Sequence, residues 1–169
     1  LADNGLTDNT LILFTSDNGG ASIIEQPDIN APYRGWKLTH FEGGLHVPFI
    51  AKWPAKLPAG KTYQQAVHHM DLMPTIVAAA NVALPTDRKI DGVDLTPFIL
   101  GERGDPPHRT LFWREGHQQS VLHEGWKLIR ANQPDKSAGT PQKKFLFHLA
   151  TDPTEQENLA EQRPDKVAE

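Results

Sequence analysis

The chain has 169 residues, of which 38% are hydrophobic and 22% charged, a composition typical of one globular domain or a domain and a fraction. Its 17 basic and 21 acidic residues give a net charge of −4, which argues against a nucleic-acid-binding protein because such proteins carry a basic patch. The absence of cysteine excludes disulfides, thiolate metal ligands and a cysteine nucleophile from these residues. No apolar run approaches the ~20 residues that a membrane span needs. We therefore expect neither a nucleic acid nor a membrane as a partner.

The N-terminal part of the chain predicts two strands. Residues 1–6 have the pattern of a helix end that closes on a glycine, Gly5. The apolar run 11–15 is typical of a strand buried on both faces in a parallel sheet, and residues 47–53 predict a second strand that Pro54 ends. Because a buried parallel strand needs neighbours that this sequence barely supplies, we expect further strands on a missing N-terminal segment.

The middle of the chain predicts one helix and a stretch rich in loops. Asp71 is a typical N-cap residue, and the apolar positions that follow it predict a helix to about Asn81. Pro74 fits the first turn of this helix, where an amide has no intrahelical partner. Residues 84–107 contain Asp-Gly and Pro-Pro pairs and predict loops.

The last third of the chain predicts four short strands separated by turns, which is typical of an antiparallel sheet. They are residues 110–114, 120–123, 126–130 and 145–149. Asp152, Pro153 and Glu155 supply an acidic N-cap, a proline at N1 and a glutamate at N3, and so predict a final helix. The predicted fold class is α/β, with strands and helices at 1–107 and a subdomain at 108–169 that holds a small antiparallel sheet and a helix.

The segment 16–20, with the sequence Ser-Asp-Asn-Gly-Gly, is the first candidate site. It follows the C-terminal end of a predicted buried strand, which is where ligands bind in open α/β sheets. Asp17 offers a carboxylate and Asn18 an amide oxygen, and neighbouring hard oxygen donors suit Ca²⁺ or Mg²⁺. Asp-Asn-Gly is also a common turn sequence, so these three residues by themselves are compatible with a plain turn.

Lys37 is the second candidate, in the segment 34–48 with the sequence RGWKLTHFEGGLHVP. Its ammonium is a compact charge that suits a tetrahedral oxyanion, although a single lysine is more often a surface residue. Arg34 either binds the same oxyanion or pairs with a nearby carboxylate. His40 and His46 are either acid–base groups or polar loop residues.

Taken in chain order, these segments resemble the sulfatase family. The landmarks are Ser-Asp-Asn-Gly at 16–19, Arg-Gly-x-Lys at 34–37, Glu-Gly-Gly-x-x-Val-Pro at 42–48, Lys-Trp-Pro at 52–54, Asp-Leu-Met-Pro-Thr at 71–75, Asp-Gly-Val-Asp-Leu at 91–95 and the segment 146–159. No single motif is decisive. Their order and spacing over residues 5–160 make the resemblance specific.

The resemblance implies an alkaline-phosphatase-like α/β fold that ends in a smaller antiparallel sheet, and hydrolysis of sulfate esters at a Ca²⁺ or sometimes a Mg²⁺ site. Matched motif by motif, it makes Asp17 and Asn18 metal ligands. It gives Lys37 the roles of binding the sulfate group and of helping to neutralise the leaving group. Glu42 and the glycine pair 43–44 are implied to be architectural. The resemblance also implies a periplasmic or extracellular location.

The family's nucleophile has no counterpart in these 169 residues. It is a formylglycine made from the cysteine or serine of a Cys/Ser-x-Pro-x-Arg motif, and none of the four serines precedes x-Pro-x-Arg. They are Ser16, Ser22, Ser120 and Ser137. The family's upstream Asp-Asp metal ligands and its upstream catalytic histidine and lysine are also unmatched. We therefore expect little or no turnover by this chain alone, and expect the formylglycine on a missing N-terminal segment or on another chain.

Two other functions stay open at this point. A phosphodiesterase or phosphonate monoester hydrolase of the same superfamily needs a similar site, although the segment 37–44 favours sulfate. A non-catalytic binding or assembly module is the third interpretation, because an exposed sheet face drives association. Substrate choice is expected to depend on the loops 21–36 and 131–144, and three polar residues are candidates for the pocket mouth: His117, Gln118 and His123.

Overall fold

The computed structural model describes residues 1–23, 26, 28–131 and 143–169. The strands are β1 (Ile12–Thr15), β2 (Phe49–Lys52), β3 (Thr110–Glu115), β4 (Gln118–His123), β5 (Trp126–Ala131) and β6 (Lys143–His148). The helices are α1 (Glu42–Leu45), α2 (Leu72–Ala79), α3 (Thr96–Ile99) and α4 (Pro164–Ala168), and 3₁₀ turns lie at Ala2–Asn4 and His69–Asp71. None of the helices in the described ranges has the length and apolarity to cross a bilayer. Most of the loop predicted at 131–144 lies outside the described residues.

The chain forms two compact units, each built from two stretches of sequence. The first unit consists of residues 1–14 and 49–109, and the second of residues 15–48 and 110–169. The stretch 15–48, which carries the candidate site, therefore belongs with the C-terminal strands. The domains 1–107 and 108–169 stay a prediction, because a compact unit is not necessarily a domain that folds independently.

In the first unit, β1 and β2 pair in a two-stranded sheet, which confirms both predicted strands to within two residues at each end. In this chain β1 is not buried on both faces, as expected for a strand that lacks its neighbours. Phe14 on β1 is 59% exposed, and Ile50 on β2 is 60% exposed. A sheet of two strands has too little surface of its own to cover both faces.

Asp71 organises the rest of the first unit. The predicted helix is confirmed as α2, but the Asp71 carboxylate makes no capping bond to it. Its Oδ2 atom accepts the N–H of His68 (2.8 Å), and its Oδ1 atom accepts the N–H of Val93 (2.9 Å) and lies 2.8 Å from Nε2 of His108. Since Asp71 is fully buried, these donors replace the water that its charge loses on folding.

In the second unit, β3, β4, β5 and β6 form an antiparallel sheet in which each strand pairs with the next one in the chain, as predicted. The core consists of Ile129, Ala131 and Phe147, with Phe41, Phe145 and Leu149 packed against it. Lys127, Ile129 and Ala131 occupy alternate positions of β5 and are all buried. Because alternate side chains of a strand point to the same face, Lys127 lies on the core face of the sheet.

The chain after β6 differs from the prediction of a helix that begins at Asp152. Helix α4 begins only at Pro164. The Asp152 carboxylate instead accepts the N–H groups of Gln156 (3.0 Å) and Glu157 (2.9 Å) in a turn. Glu155 has φ +57°, outside the right-handed helical region, and its side chain is buried in tertiary contacts. These contacts override the local capping pattern.

Candidate functional site

The loop that follows β1 carries the two predicted metal ligands. Ser16 donates its Oγ–H to the carbonyl oxygen of Asn18 (2.8 Å), and Asn18 donates its Nδ2 group to the carbonyl oxygen of Gly19 (2.9 Å). Asp17 is exposed, and its carboxylate has no hydrogen bond or ion pair within the described ranges. The loop is therefore closed by its own hydrogen bonds while the Asp17 carboxylate faces solvent.

Asn30 holds the end of this loop, a role that the sequence did not indicate. Its Oδ1 atom accepts the N–H of Gly20 (2.6 Å), and its Nδ2 group donates to the carbonyl oxygens of Gly20 (3.0 Å) and Gly35 (3.2 Å). An asparagine amide has both a donor and an acceptor, so it can pair with a backbone peptide in this way. Asn30 thereby fixes Gly20 beside the segment that precedes Lys37.

The structure brings the two candidate segments together through their backbones. The N–H of Lys37 donates to the carbonyl oxygen of Gly20 (3.0 Å), and the N–H of Gly19 donates to that of Gly44 (3.1 Å). A Cβ atom at Gly19 would collide with the carbonyl group of Gly43. Glycine is required at position 19 because two backbones meet there. Asp17, Asn18 and Lys37 thus lie on two loops that are hydrogen-bonded to each other.

Glu42 anchors the segment that follows Lys37. Its Oε1 atom lies 2.6 Å from Nζ of Lys127, and its Oε2 atom lies 2.9 Å from Nδ1 of His46. Burial by itself raises the pKa of the Glu42 carboxyl, but the hydrogen bond with His46 and the Lys127 ammonium outweigh it, so the net pKa is below the ordinary value. The Glu42 carboxylate thus pairs with a loop residue, His46, and with a strand residue, Lys127.

Glu155 contacts both ends of the segment 34–44. Its Oε2 atom accepts the N–H of Glu42 (2.6 Å), and its backbone carbonyl oxygen accepts a hydrogen bond from Nη1 of Arg34 (3.0 Å). Its Oε1 atom lies 2.9 Å from Nζ of Lys127. Burial raises the pKa of the Glu155 carboxyl, against the opposing effect of Lys127. Sequence reasoning missed this role of Glu155 because it assigned the residue to a helix. The partner of Arg34 is a backbone carbonyl oxygen, whereas a nearby carboxylate was one of its two expected partners.

The two histidines of the segment have different environments. His40 is 4% exposed, and its Nδ1 atom has no hydrogen bond among the residues that the structure describes. Burial lowers the pKa of His40, the nearby Glu115 carboxylate opposes this, and Lys127 adds to the lowering. His46 is half-exposed, pairs with Glu42 and stacks on Tyr33. His40 is therefore a buried imidazole whose pKa is lowered, and His46 lies at the surface.

Asp17 and Asn18 fit a Ca²⁺ or Mg²⁺ ion by the chemistry of their oxygen atoms. The Nδ2 group of Asn18 is used on Gly19, which leaves its Oδ1 atom as the acceptor for a cation. Two ligands are fewer than the six to eight oxygens that Ca²⁺ takes. In residues 1–23, 26, 28–131 and 143–169, no cluster of three or more His, Cys, Asp or Glu side chains could hold a metal ion. The donor set fits part of a metal site, and the ligand roles stay a prediction.

Comparison with known sequences connects the site to one family. The sequence model of the family described as Sulfatase matches residues 1–82. The chain is 40% identical over 114 residues to an uncharacterized sulfatase, YdeN, of Escherichia coli K12, and 43% identical over 118 residues to N-acetylgalactosamine-6-sulfatase of Canis lupus familiaris. The two matches cover 67% and 69% of this chain but 20% and 22% of the relatives. The chain thus spans about a fifth of the length of the curated relatives it matches.

Solved structures extend the similarity to nearly the whole chain. The PsFucS1 sulfatase from Pseudoalteromonas sp. is 29% identical, with a TM-score of 0.73 over 94% of this chain and 34% of that one. The phosphonate monoester hydrolase of Agrobacterium radiobacter shares the fold, at 23% identity and a TM-score of 0.68, over 99% of this chain and 34% of its own. These likenesses confirm the predicted alkaline-phosphatase-like α/β fold. By its motifs and by these matches, the chain belongs to the sulfatase family.

Proposed function

We propose that this chain is part of a sulfatase, a sulfuric ester hydrolase, and that it supplies two ligands of a Ca²⁺ site together with the lysine that binds the sulfate group. The observation that carries the proposal is the hydrogen bond from the N–H of Lys37 to the carbonyl oxygen of Gly20 (3.0 Å). It joins the turn that carries Lys37 to the loop that carries Asp17 and Asn18. A group that attracts an anion and a loop that attracts a cation are thereby held side by side, as hydrolysis of a sulfate ester requires.

The charge of Lys37 suits this reaction. A sulfate ester is an anion, and its negative charge moves towards the bridging oxygen as the S–O bond breaks. The Lys37 side chain is exposed and has no ion-pair partner in the described part of the chain, so its ammonium is available to that oxygen. A bound Ca²⁺ ion supplies further electrostatic stabilisation. Loss of one such positioned group typically lowers the rate by about 10²–10³.

The chain by itself is proposed to be catalytically incomplete, because none of its serines lies in a Ser-x-Pro-x-Arg sequence and it has no cysteine. The purified chain should give no release of phenol from an aryl sulfate, whether or not Ca²⁺ is present. Turnover should require a further polypeptide segment that contains the formylglycine motif. Measurable hydrolysis by the purified chain alone, absent from a Lys37→Ala sample prepared in parallel, would contradict this part of the proposal.

Titration with CaCl₂ and with Na₂SO₄, followed by nuclear magnetic resonance of the labelled chain, tests the two site assignments separately. Ca²⁺ should bind weakly, in the millimolar range or above, because two oxygens are too few for tight binding. It should shift the amide signals of residues 16–20, and Asp17→Ala should abolish these shifts while Asp3→Ala, a change of another exposed aspartate, should not. Sulfate should shift the signals around Lys37, and Lys37→Ala should abolish that response.

The outcomes of these titrations are distinct. Ca²⁺ shifts that survive Asp17→Ala, or that are missing from residues 16–20, contradict the metal assignment. Sulfate shifts that survive Lys37→Ala contradict the substrate assignment. A phosphate or phosphonate ester as the true substrate stays the alternative, and faster turnover of a phosphonate monoester than of a sulfate monoester by the complete enzyme would favour it over a sulfatase.

The exposed face of the two-stranded sheet is proposed to associate with a missing N-terminal segment or with another chain. Phe14 and Ile50 leave apolar surface open on neighbouring strands, and such surface favours association in water. Light scattering of the purified chain should show concentration-dependent association, and Phe14→Ser should reduce it. A chain that is monomeric at high concentration contradicts this proposal.

A further inference from the structure

Lys37 lies in a tight turn that is unfavourable for its own sequence. The N–H of Thr39 donates to the carbonyl oxygen of Trp36 (2.9 Å), which closes a four-residue turn, and Leu38 has φ +72° at its third position. A positive φ at that position, as in a type II turn, is normally provided by glycine. A leucine there is strained and persists only where surrounding contacts hold the backbone.

Gln118 is the contact that reaches this turn from the antiparallel sheet. It is the first residue of β4, and its Nε2 group donates to the carbonyl oxygen of Leu38 at 2.6 Å. The bond joins residues that are 80 positions apart in the chain. It fixes the peptide group between Leu38 and Thr39, which follows Lys37 by one residue. Within the turn, the Thr39 hydroxyl bonds to the backbone of Trp36. Outside it, the N–H of Lys37 donates to the carbonyl oxygen of Gly20, which lies on a loop and not on the sheet.

The rest of the segment 34–44 is attached to the same sheet. The hydrogen bond of Gln118 therefore acts on a turn whose two flanks are already held. Lys127 on β5 pairs with Glu42 (2.6 Å), and Glu155 accepts hydrogen bonds from Glu42 and from Arg34. Both ends of the segment 34–44 are therefore fixed with respect to β4 and β5. Lys37 lies between the two ends, and Gln118 joins its turn to β4 by a hydrogen bond.

We propose that Gln118 is a positioning residue for Lys37: by holding the carbonyl group of Leu38, it keeps the turn in the conformation that directs the lysine ammonium at the sulfate group. The inference rests on the proposed role of Lys37 in sulfate binding. Gln118 acts through the backbone of the turn. Its removal should therefore loosen the turn and weaken anion binding while the sheet stays folded.

Amide hydrogen exchange and sulfate titration of the labelled 169-residue chain test this inference. The key amide is that of Lys37, bonded to the carbonyl oxygen of Gly20, and the reference is that of Leu149, bonded to the carbonyl oxygen of Gly125 (2.9 Å) in the same unit. Gln118→Ala should accelerate exchange at Lys37 about three- to tenfold, the effect of losing one hydrogen bond, and leave Leu149 within about twofold. The matched control is Gln119→Ala, which removes the same side chain from the next position of β4 and should leave both amides unchanged.

Inorganic sulfate is the probe for the functional consequence. Gln118→Ala should weaken sulfate binding several-fold, Gln119→Ala should not, and Lys37→Ala should abolish it. The inference is overturned if Lys37 and Leu149 accelerate together, if neither accelerates, if Gln119→Ala acts like Gln118→Ala, or if Lys37-dependent sulfate binding is unaffected by Gln118→Ala. Failure of the wild-type chain to bind sulfate through Lys37 would instead contradict the proposed function, and the exchange rates would still decide whether Gln118 holds the turn.

Discussion

The Nζ atom of Lys127 lies 2.6 Å from the Oε1 atom of Glu42, although the two residues are 85 positions apart in the chain. Lys127 is 0% exposed, and a second carboxylate, that of Glu155, lies 2.9 Å from the same ammonium. Removing these charges from water costs free energy, which their mutual attraction and the hydrogen bonds from the N–H of Glu42 and from His46 offset. The group therefore stabilises the second unit only while all three members are present, and it fixes the path of the chain that leads from Lys37 to Gly44.

Lys127→Met should destabilise the chain by about 3–5 kcal/mol, because it leaves two carboxylates buried without a cation. Urea unfolding followed by circular dichroism measures the loss. Lys144→Met, which removes an exposed lysine from β6, should change the free energy of unfolding by less than about 0.5 kcal/mol. Adding Glu42→Gln and Glu155→Gln to Lys127→Met should restore part of the lost stability. A loss below about 1 kcal/mol for Lys127→Met would show that the group is not buried as described.

Gly19→Ala should destabilise the chain by about 1–3 kcal/mol or more, because its Cβ atom would overlap the backbone of Gly43 and force the two loops apart. Gly104→Ala is the control, since a Cβ atom there meets nothing within 4 Å and the backbone has no positive φ. That variant should be neutral or slightly stabilising. Thermal unfolding of both variants checks the difference. Equal stabilities for the two would contradict the close approach of residues 19 and 43.

Leu38→Gly should stabilise the chain or leave its stability unchanged. A glycine substitution at a position with an ordinary, negative φ would instead lower the stability. Leu38 has φ +72° and is 66% exposed, so glycine relieves the strain while little buried apolar surface is lost. We expect a gain of up to about 1 kcal/mol in the free energy of unfolding. Asn81→Gly is the matched control at φ +56°, and its gain should be smaller because asparagine tolerates this region. A clear loss of stability in Leu38→Gly contradicts the turn described here.

His40 should make the chain less stable in acid. Burial lowers the pKa of His40, so between that pKa and 6.5 the unfolded chain binds more protons than the folded one. Stability then falls as the pH drops below about 6.5 and the loss continues through the lowered pKa. The effect of Glu115 opposes the lowering and that of Lys127 adds to it, and both are present in the wild-type chain.

Urea unfolding at pH 7.5 and pH 5.5 measures this dependence. The loss on acidification should be smaller in His40→Gln than in the wild-type chain. His68→Gln should also reduce it, because burial lowers the pKa of His68 as well, and the two effects should add since the residues lie in different units. An identical loss in the wild-type chain and in His40→Gln would exclude His40 as a source of the pH dependence.

Local sequence signals predicted most of the secondary structure. The apolar run before Ser16 and the alternating pattern at 126–130 gave strands at nearly the observed positions. Gly5 closes the first turn at φ +64°, as its place after a polar helix end indicated. These signals act over a few neighbouring residues, so they can be read from the chain without knowing its path. The prediction of a helix at Asp152 was wrong because a distant contact of Glu155 outweighs the local pattern.

The sequence by itself determined which residue types stand in the candidate site: the Asp17–Asn18 pair after a strand, the lysine at position 37, the absence of a cysteine, and the order of motifs that resembles a sulfatase. Only the tertiary structure decided how these residues are held. Asn30, Gln118 and Glu155 have no local signature, because their partners lie 10, 80 and 113 residues away. A hydrogen bond or a buried ion pair depends on atoms meeting within about 3 Å, and the path of the chain decides which atoms meet.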